Sequence, residues 1–508
     1  MLANVGDIYS VFSVPLQQYV TCQVTHIKPA STPKGNPLAA VLELDWTGDC
    51  LPDADAARSM RPQRYNYYFI KDDLDHAYVT ANVPPDHVFI ANLPPLVEAE
   101  VNSYKFGWDV GDGIVRQRNW EKIDPARRAQ FKAASRAHKV MIGGKEFAQD
   151  ATRINDSVLQ SIGDLSELDQ LPCLMTIETA HGTRELMEYI QRHPFVNELH
   201  WQSSSVSEID ISATRLSRLI LQPDGVASMR LNPGLKLLSL TAMPSTSLQV
   251  EALAQGRDLS LRCVQGMPAI QGLEQLGGLS LTGVRELDLA PVVQRFPSLR
   301  ELRIWGNPGL ASNLQSIAGL TQLQMLTTFD VFGFGADEFP SPQQLPKLAT
   351  LWMTSVDADV AKAVKTAYKK AATQGLDLMI SKPRKPEWLA ENLHNPFRDW
   401  DGREHISAAV AKKAALAYKK LLATTRTITV DMDAASVQQL LTTMVTAYAE
   451  DFNVIDRRAG VIETVEREEI YTVLVDVLEQ LELGLGEPGQ GQFQRDRLCE
   501  LFDRLREF

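Results

Sequence analysis

Four glutamates near the carboxyl end of the chain form a group of potential metal ligands. They are Glu463, Glu466, Glu468 and Glu469. On a helix, Glu466 and Glu469 would share one face, where two carboxylates could hold a metal ion. Acidic side chains in the first turn of a helix also stabilise its exposed amides electrostatically. We therefore predict that this cluster caps a helix and that the chain has no metal site.

Three further patterns bear on catalysis, and each lacks a required partner. Gly107, Gly111 and Gly113 are spaced like part of a phosphate-binding loop, but no Lys-Ser or Lys-Thr pair follows them, so we predict a hairpin turn. The nine histidines include no His-Glu-x-x-His zinc motif. The five cysteines include no Cys-x-x-Cys pair, which is typical of reduced thiols in a cytoplasmic protein. The sequence predicts no catalytic residues and no cofactor.

The middle of the chain repeats one apolar pattern. The segment from Leu299 to Leu310 matches the complete leucine-rich-repeat unit L-x-x-L-x-L-x-x-N-x-x-L. Seven copies place their middle apolar residue at positions 199, 209, 219, 238, 279, 302 and 351, and Leu259-x-Leu261 is a degenerate member between the fourth and the fifth. Because the first two intervals are only 10 residues, against a usual repeat of roughly 20 to 29, we predict an irregular solenoid. Between Leu323 and Val331 two registers fit equally well.

Side chains between these apolar positions should project from an exposed, concave parallel sheet. Trp and Arg are common among the residues that dominate binding energy, since they bury much area at a modest entropy cost. A tryptophan at such a position could equally pack against a flanking domain. The predicted partner-binding residues are Glu198, His200, Glu208, Asp210, Arg218, Arg303, Trp305 and Trp352. We expect this surface to recognise another protein.

The chain divides into three regions by its pattern of strands and helices. Residues 1-145 contain about six short strand-like segments and a closing helix after Asp124, which predicts a small antiparallel β barrel or sandwich. Residues 150-395 hold the leucine-rich-repeat solenoid with a carboxyl-terminal cap, and residues 396-508 are predicted to be all-helical. The predicted fold class is therefore multidomain α+β.

Charge is distributed unevenly along the 508 residues. Residues 362 to 426 contain 14 Lys and Arg against 6 Asp and Glu, whereas residues 451 to 508 contain 7 against 14. The two segments could neutralise each other, or the basic one could meet an acidic partner. The net charge of -12 disfavours nucleic acid as a partner. The absence of a signal-peptide pattern and of a long apolar run predicts a cytoplasmic protein with no membrane contact, and the oligomeric state stays open.

Two parts of the sequence resemble bacterial families. The opening Val5-Gly-Asp-Ile-Tyr-Ser-Val11, with Gln18-Tyr-Val-Thr-Cys-Gln-Val24, resembles the immunity protein 26 family of polymorphic toxin systems. The segment from Lys382 to Leu393, with Asn395 to Gly402, is similar to bacterial leucine-rich-repeat proteins labelled as gliding-motility proteins, a label that implies no chemistry. The first resemblance implies a non-catalytic protein that binds and neutralises a cognate toxin inside the cell that makes it.

The alternative function is a leucine-rich-repeat effector or enzyme whose activity lies in the helical carboxyl-terminal region. Bacterial effectors that join such repeats to a ubiquitin-ligase domain resemble this layout, but they need a reactive Cys followed two residues later by Asp. Cys499-Glu-Leu501 departs from that pattern. The glutamate cluster and the aspartates on either side of Trp400 are the residues that favour this alternative.

Overall fold

The computed structural model describes residues 2–30, 37–98, 101–105, 107–203, 206–401, 403–489 and 493–508. Contacts divide the chain into two compact units, Met1–Pro383 and Arg384–Phe508. The first unit is mixed α/β, with an antiparallel sheet followed by a long parallel sheet, and the second is helical. Within the described residues, no helix combines the length and the apolar character needed to cross a membrane.

The amino-terminal sheet contains five antiparallel strands in the order β6-β3-β2-β1-β7. The elements of this region are β1 (Asp7–Ser13), β2 (Gln18–Lys28), β3 (Leu38–Gly48), α1 (Ala54–Ser59), β4 (Arg64–Tyr65), β5 (Asp73–Leu74), β6 (His76–Thr80), β7 (Val88–Asn92), α2 (Asp112–Glu121) and α3 (Pro125–Ala133). The antiparallel strands agree with the sequence, but five of the described strands form one open sheet rather than a barrel or a sandwich, and β4 pairs separately with β5. Helices supply the second layer instead, since Ile114, Trp120 and Phe131 share a buried cluster with Val11 and Val20.

Two helix starts in this region contrast a correct prediction with a wrong one. Asp124 caps α3 as predicted, because its carboxylate accepts the amides of Ala126 and Arg127 at 2.9 and 3.2 Å. The predicted hairpin at Gly107 to Gly113 is instead the start of α2, preceded by Gly111 at φ +97°. A short hairpin of β8 (Lys139–Ile142) and β9 (Lys145–Ala148) then leads into the repeats.

The repeats form an eleven-stranded sheet in which every neighbouring pair is parallel. Its strands are β10 (Arg153–Ile154), β11 (Thr176–His181), β12 (Glu198–Ser203), β14 (Arg218–Leu221), β16 (Leu237–Leu240), β18 (Ser260–Val264), β20 (Gly278–Asp288), β21 (Glu301–Ser312), β22 (Met325–Phe332), β23 (Thr350–Thr354) and β24 (Asp377–Ser381). Short helices α4 (Asp156–Leu159), α5 (Arg184–Arg192) and α6 (Leu289–Arg295) connect some of them, with 3-10 turns at Leu165–Gln170, Leu253–Gly256 and Leu314–Gly319.

A second parallel sheet explains the short intervals in the sequence pattern. It consists of β13 (Glu208–Asp210), β15 (Ser228–Arg230), β17 (Leu248–Glu251) and β19 (Ile270–Gln271). Ile209 therefore pairs with Met229, not with the strands on either side of it in sequence. Both sheets turn apolar residues into one core, so the L-x-x-L-x-L spacing could not tell them apart.

The leucines that align from strand to strand along the long sheet show that the repeats are regular in length. They are Leu199, Leu219, Leu238, Leu261, Leu279, Leu302, Leu326, Leu351 and Leu378. The intervals between their numbers run from 18 to 27 residues, so the prediction of much shorter early turns was wrong. Leu261, rather than Leu259, occupies the repeat position, and Leu326 settles the register that the sequence left open.

Both ends of the repeat core are covered within the first unit. At the start, Ile142 of β8 is buried in the repeat core, and Val140 and Phe147 of the same hairpin pack against it. At the other end, α7 (Ala358–Thr373) buries Val360 and Tyr368 against the core as the predicted cap, and β24 is the last strand.

The second unit contains α8 (Pro386–Asn392), a 3-10 turn at Arg398–Trp400, α9 (Ala408–Thr425), α10 (Ala434–Ala459), α11 (Thr464–Gly489) and α12 (Arg495–Leu505). Ser407 and Asp433 cap α9 and α10, accepting the amides of Val410 and Ser436 at 3.4 and 2.9 Å. The core of this unit gathers aromatic residues such as Trp400 and Phe452, which are fully buried.

Candidate functional site

The outward face of the long parallel sheet carries most of the residues that the sequence singled out. Side chains alternate along a strand, so Leu302 and Ile304 point into the core and are fully buried. Arg303 and Trp305 consequently point outward. The same alternation places Glu198 and His200 on β12, Arg218 on β14 and Trp352 on β23 on this face.

Four large apolar side chains gather at one end of this face. Trp305 is 45% exposed and lies in register with Phe329, which is 39% exposed. Trp352 lies in register with Met379, which is 42% exposed. We call these four residues the aromatic patch. Contiguous exposed apolar surface of this kind is typical of protein contact sites.

Polar groups lie beside the apolar side chains of the aromatic patch. The indole nitrogen of Trp352 donates a hydrogen bond to Asp377 at 3.0 Å, which fixes the orientation of the ring. Arg303 lies 3.1 Å from Glu301 on the same strand. Because the side chain of Arg303 is 36% exposed, it can also reach a partner that contacts Trp305.

A charged ladder occupies the other end of the face. The His200 ring lies 2.5 Å from Glu198 and 3.6 Å from Glu178, and Arg218 lies 3.2 Å from Glu198. Arg153 completes it through an ion pair with Glu178. These charges already satisfy one another, so a partner would have to replace existing pairs to use them.

Glu208 and Asp210 lie elsewhere, which corrects their placement beside His200. Both belong to β13 of the second sheet, where Arg230 on β15 lies 3.9 Å from Asp210. They were misplaced because Ile209 matched the repeat pattern of the long sheet. The structure thus brings six of the eight predicted residues onto one face and puts these two on another.

The glutamate cluster of the second unit serves the start of α11. Glu466 accepts the backbone amide of Glu463 at 3.1 Å, which is one half of a capping box. Glu466 also pairs with Arg403, whose guanidinium reaches Glu469 as well. The indole of Trp400 donates to Glu469 at 2.8 Å. Through these hydrogen bonds and ion pairs, the carboxylates of Glu466 and Glu469 stabilise the fold.

A buried carboxylate in the first unit was missed in the sequence. Glu43 on β3 is 3% exposed and accepts hydrogen bonds from the Tyr65 hydroxyl and the Gly111 amide. A Cβ on Gly113 would lie 2.6 Å from the Tyr65 ring, so only glycine fits there. The Gly111-Asp-Gly113 turn therefore holds an internal carboxylate where the sequence pattern resembled a phosphate loop. The one sign of a buried carboxylate in the sequence was a glutamate among the apolar residues of β3.

Glu43 should make stability depend on pH. Burial raises its pKa from 4.5 to about 7, against the lowering effect of its hydrogen bonds. The folded protein then keeps a proton that the unfolded chain loses as pH rises from 4.5 to 7. The free energy of unfolding should fall across that window, by on the order of 3 kcal/mol, and level off above it.

Urea unfolding of the wild type and of Glu43→Gln at pH 5 and pH 8 checks this expectation. Glutamine stays neutral, so the variant should lose less stability between the two pH values than the wild type does. All other titrating groups are common to both proteins. An identical pH dependence in the two proteins would show that Glu43 is not the group responsible.

Comparison with known proteins adds a structural likeness only. No protein-family model matches the chain. No curated protein matches it either. The crystal structure of an internalin from Listeria monocytogenes is similar over 48% of this chain and 84% of that chain, at 14% sequence identity and a TM-score of 0.22. The repeat architecture described above rests on the register of this chain's own strands.

Proposed function

We propose that this chain is a non-catalytic protein that binds another protein through the outward face of its long parallel sheet. The observation that carries the proposal is the aromatic patch, in which adjacent strands expose Trp305, Phe329 and Met379 beside Trp352. Large aromatic side chains on a rigid sheet lose little entropy on binding, and they are frequent hot spots. The neighbouring Arg303 supplies a charged group of the kind that pairs with such anchors.

The partner class we propose is a cognate toxin, which the chain neutralises by stoichiometric binding inside the producing cell. The resemblance of the opening strands β1 and β2 to the immunity protein 26 family supports this choice. The five free cysteines fit a reducing cytoplasm. Binding through a surface patch requires no catalytic residue.

Co-purification tests this function. The tagged chain and the untagged product of the adjacent gene are produced in the same cells, and the tagged protein is captured. We expect the untagged product to elute with it in a one-to-one ratio, and expect the chain to protect cells that produce this neighbour. Recovery of chaperones alone under several growth conditions would contradict the proposal.

A further inference from the structure

We propose that the second unit binds a small organic phosphate with an apolar body, in a cavity between α8, the 395–401 segment and α9. This site is separate from the aromatic patch and does not depend on the function proposed above. The cavity has a volume of about 650 Å³. Sites for small molecules commonly measure roughly 300 to 1,000 Å³.

The cavity exists because α9 presents small side chains toward it. Ala408, Ala411 and Ala415 are spaced at intervals of three and four residues, so they share one face of the helix. Trp388 and Phe397 form the apolar wall opposite, and Leu416, which is 53% exposed, lies at the rim. An alkyl or aromatic group would bury apolar surface here that water now contacts.

The charged part of the wall is strongly basic. Arg384, Arg398, Lys412, Lys413 and Lys419 line the cavity, and Asp401 is the acidic residue that the described wall contributes. Asp401 lies 3.3 Å from Arg384, and Asp399 lies 3.8 Å from Arg398, so two of these charges are offset. In the described part of the chain, no carboxylate lies within ion-pair distance of the three lysines, whereas the adjacent Lys420 pairs with Asp451 at 2.8 Å. This excess of cations favours a ligand carrying more than one negative charge.

Trp388 holds two of the cations in position. The guanidinium carbon of Arg384 lies 4.2 Å from the centre of the Trp388 ring, and that of Arg398 lies 5.3 Å from it. Arg398 is only 4% exposed, and its burial lowers its pKa despite the nearby Asp399 and Asp401. An anion in the cavity would stabilise this buried charge. An arginine fork pairs with carboxylate and phosphate oxygens alike, so it is the number of cations in the wall that favours a phosphate ester, with its greater negative charge, over a single carboxylate.

Titration of the full-length protein with matched probes tests the proposal. The probes are 1-naphthyl phosphate, 1-naphthoate, inorganic phosphate and 1-naphthylmethylammonium. Isothermal titration calorimetry measures the binding of each. We expect 1-naphthyl phosphate to bind with one-to-one stoichiometry and at least tenfold more tightly than any of the other three. Naphthoate or inorganic phosphate binding as tightly would overturn the requirement for a phosphate or for an apolar body, respectively.

Variants locate the site. Lys419→Ala and Lys412→Ala should each weaken 1-naphthyl phosphate by about tenfold, the scale of one charge-assisted hydrogen bond. Lys420→Ala, which removes the next cation on the same helix but outside the cavity, is the matched control and should leave affinity unchanged. Ala415→Leu should fill the cavity and block binding, with circular dichroism confirming the fold.

Two outcomes would overturn the proposal. Equal losses in Lys419→Ala and Lys420→Ala would mean that the helix attracts anions without a site. A hexaglutamate peptide that binds more tightly than 1-naphthyl phosphate, and depends on Lys412, would assign the cavity to a protein partner instead.

Discussion

Replacing Arg403 by methionine is expected to lower the free energy of unfolding of residues 384–508 by about 3–5 kcal/mol. Arg403 pairs with Glu466, whose side chain is 3% exposed, and with Glu469. Without the guanidinium, Glu466 would keep its burial but lose its main compensating charge. Burial alone would raise the pKa of Glu466, but Arg403 and the backbone amides hold it below its ordinary value.

The pH dependence of that loss follows from the same contact. The lowered pKa of Glu466 stabilises the folded state at neutral pH, and this contribution disappears as pH falls and the carboxylate gains a proton. The variant should therefore differ most from the wild type near pH 7 and less in acid. Arg457→Met is the control, since its pairs with Glu450 and Glu507 are half exposed and should contribute roughly 1 kcal/mol or less. Equal losses in the two variants would contradict the structural role of the cluster.

Leu302→Ala should destabilise the first unit by about 2–5 kcal/mol, because it opens a cavity in a close-packed core. Leu302 is fully buried and lies in register between Leu279 and Leu326. Trp305→Ala, three residues along the same strand, should cost only about 0.5 kcal/mol, because Trp305 is 45% exposed. Urea unfolding of both variants measures the difference. A large loss for Trp305→Ala would mean that the residue supports the fold rather than a contact.

The repeat pattern predicted the long sheet well, because it depends on local apolar spacing. The full unit at Leu299 to Leu310 marked β21, and the outward positions of Arg303 and Trp305 followed from alternation along the strand. The same pattern failed at Ile209, because strands of both sheets face one core and so share one spacing. Which sheet a strand joins is decided by its neighbours in space.

Features that depend on distant contacts could not be predicted. Glu43 meets the amide of Gly111 across 68 positions of sequence, so the glycine pattern alone resembled a phosphate loop or a turn. The open amino-terminal sheet is a similar case, since its strands and α3 were predicted, whereas α2, which packs on the sheet through Ile114 and Trp120, was not. The sequence shows an excess of positive charge after Lys362. The cavity at Trp388, in contrast, is formed only by the packing of α8 and α9.

Calorimetric titration of the co-purified partner against Trp305→Ala tests the central claim most directly. The claim is that the aromatic patch is the contact surface. Leu253→Ala removes an apolar side chain that is 66% exposed away from the patch, so it serves as the control. We predict that Trp305→Ala and Arg303→Ala weaken binding by roughly 2 kcal/mol or more, about thirtyfold, while Leu253→Ala binds like the wild type. Unchanged affinity in both patch variants would contradict the claim and move the contact to another surface.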